Sequence, residues 1–171
     1  MKIEQLETQY QPAEDRILLR ISSLEVTMEY YITRRFLKLL LNILIDLLEK
    51  QVPMIADKPS KQMVLAFEQH VITEKFNYTQ KSRPKKARAD VGANTYPLLH
   101  TISVKMELDT KTQALHLHDK YGEGVILPIH SDMLHLLYKL LVDTAEAAEW
   151  QLDTTQLKLD SAPIVAPHRL N

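Results

Sequence analysis

Histidines and a short run of cations are the side chains best suited to chemistry in this chain. Five of the seven histidines, His100, His116, His118, His130 and His135, lie in the second of two repeated units, residues 98–160. Along a strand, residues i and i+2 share a face, so His116 and His118 could offer imidazole nitrogens to one metal, with His130 as a third ligand. The same residues also read as a solvated, His-rich face, because no H-E-x-x-H helix accompanies them. Lys81, Arg83, Lys85, Lys86 and Arg88 cluster around Pro84, with Tyr78 and Tyr96 on either side. Such a cluster could contact phosphates while the rings stack on bases, or it could meet an anionic protein. Arg34 and Arg35 follow Thr33, where a helix is predicted to start. Free N–H groups and the helix dipole could hold an anion there. The alternative is an internal ion pair with Glu14, Asp15 or Glu29.

Composition removes other chemistries. The 171 residues contain no Cys, which excludes disulfides, thiolate zinc sites and a cysteine nucleophile. Only three glycines are present, Gly92, Gly122 and Gly124, too few for a Walker loop or a dinucleotide fingerprint. No Ser/His/Asp set or carboxylate pair stands out, so the reading leans away from an enzyme and expects no cofactor. A formal net charge of −1 argues against a globally basic nucleic-acid binder. The most apolar run, Phe36 to Leu48, is interrupted by Lys38, Asn42 and Asp46 and falls short of a membrane span. With no apolar leader at its start, the chain is expected to be cytoplasmic.

The elements that must position these residues follow from periodicity. Lys2 to Tyr10 reads as a weak extended segment, and Gln11 to Asp15 as a turn. Ile17, Leu19 and Ile21 alternate at period two, as do Val26, Met28, Tyr30 and Ile32 after a second turn. A helix is expected from about Arg34 to Lys50. Its polar stripe Lys38, Asn42, Asp46 is narrow, so most of its circumference looks apolar. Ser60 is expected to cap a second helix running to about Ile72, with Met63, Val64, Phe67 and Val71 as its apolar face. Two strands follow, with His100 to Leu108 and Leu115 to Leu117 alternating. A hairpin tip at Lys120 to Gly124 leads to Val125, Leu127 and Ile129. Ser131 is expected to cap a long helix reaching about Trp150, and Gln156 to Leu159 suggest a last strand.

The two halves repeat at an offset of 97, Phe36 onto Met133. Leu37, Leu40 and Leu44 fall on Leu134, Leu137 and Leu141, and the polar stripe falls on His135, Lys139 and Asp143. Met28, Tyr30 and Ile32 fall on Val125, Leu127 and Ile129, so the strand faces agree. The preceding strand matches one residue further on, Ile17 with Leu115, which implies one residue fewer in the second hairpin tip. Ala13-Glu14-Asp15-Arg16-Ile17-Leu18-Leu19-Arg20-Ile21, followed by Tyr31-Ile32-Thr33-Arg34-Arg35, resembles a pattern in uncharacterised small bacterial proteins. The resemblance spans about the first third of the chain and implies no activity.

The expected fold is α+β: two pseudo-repeated ββ(β)α units with antiparallel sheets and long apolar helices, plus a helical insert. The units are residues 1–52 and 98–160, joined by a helical insert and basic loop over 53–97, with a tail at 161–171. The leading functional expectation is a non-enzymatic binding or assembly module acting through protein–protein surfaces as a homodimer or with a protein partner. Nucleic-acid binding through residues 81–88 and a histidine metal site are the alternatives.

Overall fold

A computed structural model of the chain describes residues 3–52, 58–79, 96–107 and 112–152, with side chains of the second stretch described over 61–74. The basic cluster at 81–88, the expected strand at 156–159 and the tail at 161–171 lie outside the described residues.

The first unit begins with β1 (Ile3–Gln11), β2 (Arg16–Ser23) and β3 (Thr27–Ile32), an antiparallel sheet in that order. The period-two residues Ile17, Leu19, Ile21 and Ile32 are all fully buried, so the alternation sets the core face. On the outer face Arg20 bridges its two neighbouring strands. Its guanidinium lies 2.8 Å from Glu7 and 2.7 Å from Glu29. Thr33 then caps α1 (Arg34–Gln51), its hydroxyl accepting from the Phe36 N–H at 3.2 Å.

Next comes α2 (Lys58–Thr79), longer at both ends than periodicity suggests, so Ser60 lies inside the helix and is not its cap. The second unit repeats the plan: β4 (Thr101–Met106), β5 (Gln113–His118) and β6 (Gly124–Pro128) form an antiparallel sheet, followed by α3 (Ser131–Ala147). The repeat extends to burial. Phe36, Leu37, Leu40, Leu41, Leu44 and Leu48 are buried in α1, and so are Met133, Leu134, Leu137, Tyr138, Leu141 and Ala145 at the equivalent positions of α3.

Hairpin register does not repeat. Ser22 pairs with Thr27 in the first unit, whereas His118 pairs with Gly124 in the second. The second tip is therefore longer between its closing pair, although the residue count predicts a shorter one. Two devices hold it. Asp119 accepts from the backbone N–H groups of Tyr121 (2.8 Å) and Glu123 (3.0 Å), and Gly122 takes a φ of 87°. At Gly124 a Cβ would collide with the Leu117 carbonyl oxygen, so only glycine fits the close approach of the two strands.

The sheets meet at one strap of chain. Tyr31 N–H donates to Pro97 O at 2.8 Å, and Leu99 N–H donates to Tyr31 O at 2.9 Å, a parallel bridge between Tyr31 and Leu98. One residue later the strap changes partner, with His100 N–H donating to His118 O at 2.8 Å. Helix α3 packs on α1, α2 and β1, and Thr8 Oγ1 donates to Leu140 O at 3.0 Å across that contact. Buried residues of both units form one continuous core cluster.

The long apolar helices expected from the sequence are not what forms. Helix α1 is amphipathic: Arg34, Arg35, Lys38, Leu39, Asn42, Asp46, Lys50 and Gln51 are exposed, and Ile43 and Ile45 are only half-buried. The polar stripe is wider than its charged residues suggest, because Leu39 and the termini turn outward with it. No helix among the described residues is long and apolar enough to cross a membrane.

Candidate functional site

The histidines do not converge. His116 and His118 share the outer face of the second sheet, with ring centroids 5.7 Å apart. His116 is already engaged, its Nε2 lying 2.7 Å from Glu107 Oε1. His130, and not Ser131 as expected, is the N-cap of α3; it stands exposed and its side chain makes no capping bond. Ile126 is the residue opposite His116, so His130 lies four residues further along, roughly 13 Å at strand rise. Among the described residues, no group of three or more His, Cys, Asp or Glu could hold a metal ion. The trio His116, His118, His130 is thus corrected: the shared face is real, but the register separates the third member.

Arg34 and Arg35 are exposed at the start of α1. Of the acids expected to pair with them, Asp15 feels the Arg34 charge, and the other two are paired elsewhere. Glu14 lies 3.6 Å from Arg16, and Glu29 holds Arg20. Arg34 instead places its guanidinium 5.7 Å from the centroid of the Trp150 ring. That indole is brought there by the end of α3. Glu149 takes a left-handed φ of 55°, so the Trp150 N–H reaches back to Ala145 O at 3.0 Å and the side chain turns inward.

Around Trp150 the β1–β2 turn closes a polar and aromatic cluster. Trp150 Nε1–H donates to Asp15 Oδ1 at 2.7 Å, and Tyr10 OH donates to the same oxygen at 3.0 Å. Tyr10 meets the indole edge-on at 6.1 Å. The two donated bonds, the indole's first, hold the Asp15 carboxyl below its ordinary value, and the Arg34 charge adds to them. Beside it, Arg16 stacks over Tyr31 at 5.4 Å and Tyr31 meets Tyr96 edge-on at 5.3 Å. The residues of the Glu14-Asp15-Arg16 and Thr33-Arg34 pattern therefore come together, and their partners are this chain's own side chains.

The most unusual placement is that of α2. Its sequence-read apolar face points outward: Met63 is 66% exposed and Phe67 68%, and Val64 and Val71 are exposed with them. The side that rests on the protein carries Leu65, Gln69 and Ile72, with Leu65 only 1% exposed. The seat is partly polar. His135 of α3, fully buried, donates from Nδ1 to Gln69 Oε1 at 2.9 Å, and its Nε2 faces Glu68 Oε2 at 3.3 Å. Gln69 Nε2 donates back to the His135 carbonyl at 3.3 Å. Burial holds the His135 imidazole below its ordinary value, with Glu68 and Asp132 pulling the other way.

His135 falls on the polar stripe of its helix, which periodicity assigns to solvent. Its counterpart Lys38 is indeed exposed. The signal that could have marked His135 is the exchange itself: a lysine in the first unit becomes a histidine, which tolerates burial where lysine does not. Compared with family models, curated proteins and solved structures, the chain matches none.

Proposed function

We propose that this protein is a non-enzymatic binding and assembly module that acts through protein–protein surfaces, and that α2 carries the surface. The observation behind this reading is the orientation of α2. A helix free to choose buries its more apolar side. Here that side stays in water, and a side interrupted by Gln69, with Glu68 at its rim, takes the seat on α3. Met63, Val64, Phe67 and Val71 leave roughly 400 Å² of apolar side chain in one stripe, within the range of the largest patch on a typical monomer, which is often a functional one. The reading places the protein in the cytoplasm, whose reducing conditions suit a chain without cysteine.

Phe67→Asp tests it. Because Phe67 touches little of the core, the variant should keep the wild-type circular dichroism and urea midpoint while losing binding at α2. Purified wild-type and variant chains would be compared by sedimentation and by affinity capture. If no chain, of its own kind or another, associates with wild type and releases from the variant, the reading fails.

A further inference from the structure

Resting on that reading of α2, we infer that His135 is the positioning residue that fixes which side of α2 faces out. Val64, Phe67 and Val71 fall within about 60° of one another round the helix, and the seated Leu65, Gln69 and Ile72 fill a second arc of about that width. The two arcs lie roughly a third of a turn apart. On apolar content alone the first would take the seat on α3, since it offers Phe67 where the second offers Gln69.

Hydrogen bonding reverses that order. Gln69 Nε2 donates to the His135 carbonyl and to Thr73 Oγ1, both at 3.3 Å, and Thr73 Oγ1 donates to the Gln69 carbonyl at 2.7 Å. With both amide hydrogens placed on oxygens, the orientation of the Gln69 amide is fixed, and its Oε1 faces His135 Nδ1 at 2.9 Å. Nδ1 therefore carries a proton whether or not the ring is charged. His135 is fully buried, so that N–H needs an acceptor from the helix above it. Gln69 supplies one, whereas the side chains of Val64, Phe67 and Val71 have none to offer. Turning the apolar arc onto the seat would leave the Nδ1–H buried and unpaired.

The repeat gives an independent sign of the same role. His135 stands where the first unit has Lys38, which is exposed. Among the described residues, no helix follows α3 as α2 follows α1. The helix without a counterpart thus rests on the position where the repeat exchanges an exposed lysine for a buried histidine.

Cysteine labelling tests the inference, because the chain has no cysteine of its own. Val71→Cys and Leu65→Cys, each alone in the full chain, would be reacted with a maleimide, with far-UV circular dichroism as the check of folding. While His135 is in place, Val71→Cys should react about tenfold or more faster than Leu65→Cys, as exposure against burial dictates. His135→Leu should reverse that order. His135→Asn, whose amide can donate as Nδ1 does, should keep it. Adding Gln69→Leu to His135→Leu should restore it, because the original seat is then apolar throughout. His135→Met, with a side chain that adapts to irregular space, repeats the reversal if His135→Leu does not fold. An unchanged order in these apolar variants overturns the inference. So does fast reaction at both positions, which would mean that α2 had come away and not turned. A reversed order in His135→Asn, or a double variant that stays reversed, overturns it as well. The labelling reads α2 without any partner, so it can fail while Phe67-dependent capture succeeds, and succeed while that capture fails.

Discussion

Asp15 shows how much one side chain can organise. Its backbone takes a φ of 47°, a turn conformation that Asp tolerates, while a single carboxylate oxygen accepts from both Trp150 and Tyr10. Its folded-state carboxyl is held below the ordinary value of 3.8, so the unfolded chain takes up its proton first on acidification. The stability it contributes is present above that value and is lost as pH falls through the folded one. Trp150 is the chain's sole tryptophan, so its emission reports on this cluster without interference. Asp15→Gly keeps the turn and deletes the acceptor, and should shift Trp150 emission to the red and lower the urea midpoint. Asp15→Asn retains an acceptor oxygen and should stay near wild type in both readings while losing the acid sensitivity. No periodicity links Asp15 to Trp150, because the contact joins a loop to a helix end 135 positions apart. Sequence shows the turn and the helix end separately and is silent on their meeting.

At the scale of elements, strands and helices were largely legible, and which way one helix faces was not. Residues Ile17, Leu19 and Ile21 alternate cleanly, and a strand offers only two faces, so the choice is nearly forced. A helix offers a continuum of rotations. For α2 the partner decides among them: α3 presents His135 to the buried Gln69, with Glu68 at the rim, and Met63 and Phe67 face out. That seat should respond to pH. Burial lowers the folded-state value of His135 below the unfolded 6.5, so neutral His135 contributes stability that is fully present above 6.5 and lost as pH falls through the lower folded value. Glu68 moderates the loss by favouring the protonated ring. Glu68→Gln should therefore make the decline in urea midpoint between pH 7.5 and 5 steeper than in wild type. An equal or shallower decline would show that His135 stays clear of Glu68 in solution.

Across the whole molecule, the repeat was readable because helix and strand phases recur together, and burial of Leu37, Leu40 and Leu44 with Leu134, Leu137 and Leu141 follows it. Less readable was how the units join, since the Tyr31–Leu98 strap and the Thr8–Leu140 contact depend on neither repeat nor period. Both contacts tie residues of one unit to the other, and the buried cluster runs through α1 and α3 alike. Urea unfolding should accordingly follow one cooperative transition, with the Trp150 signal and far-UV circular dichroism coinciding. Two separated transitions would mean that the units hold themselves up independently. Leu41→Ala, in the shared core, should cost about 2–5 kcal/mol and move both signals together.

The shared core also has a consequence for how the protein is made. Helix α1 is complete once Gln51 has been synthesised, yet α3, which packs against it, starts only at Ser131. At ribosomal speeds of about 5–20 residues per second, the leucine side of α1 waits roughly 4–16 seconds for that cover. During that interval a nascent chain shows water, and any neighbouring chain, a surface that the finished protein hides. The interval is set by the stretch between α1 and α3, which itself carries Leu65, Leu115, Leu117, Val125 and Leu127 of the same core.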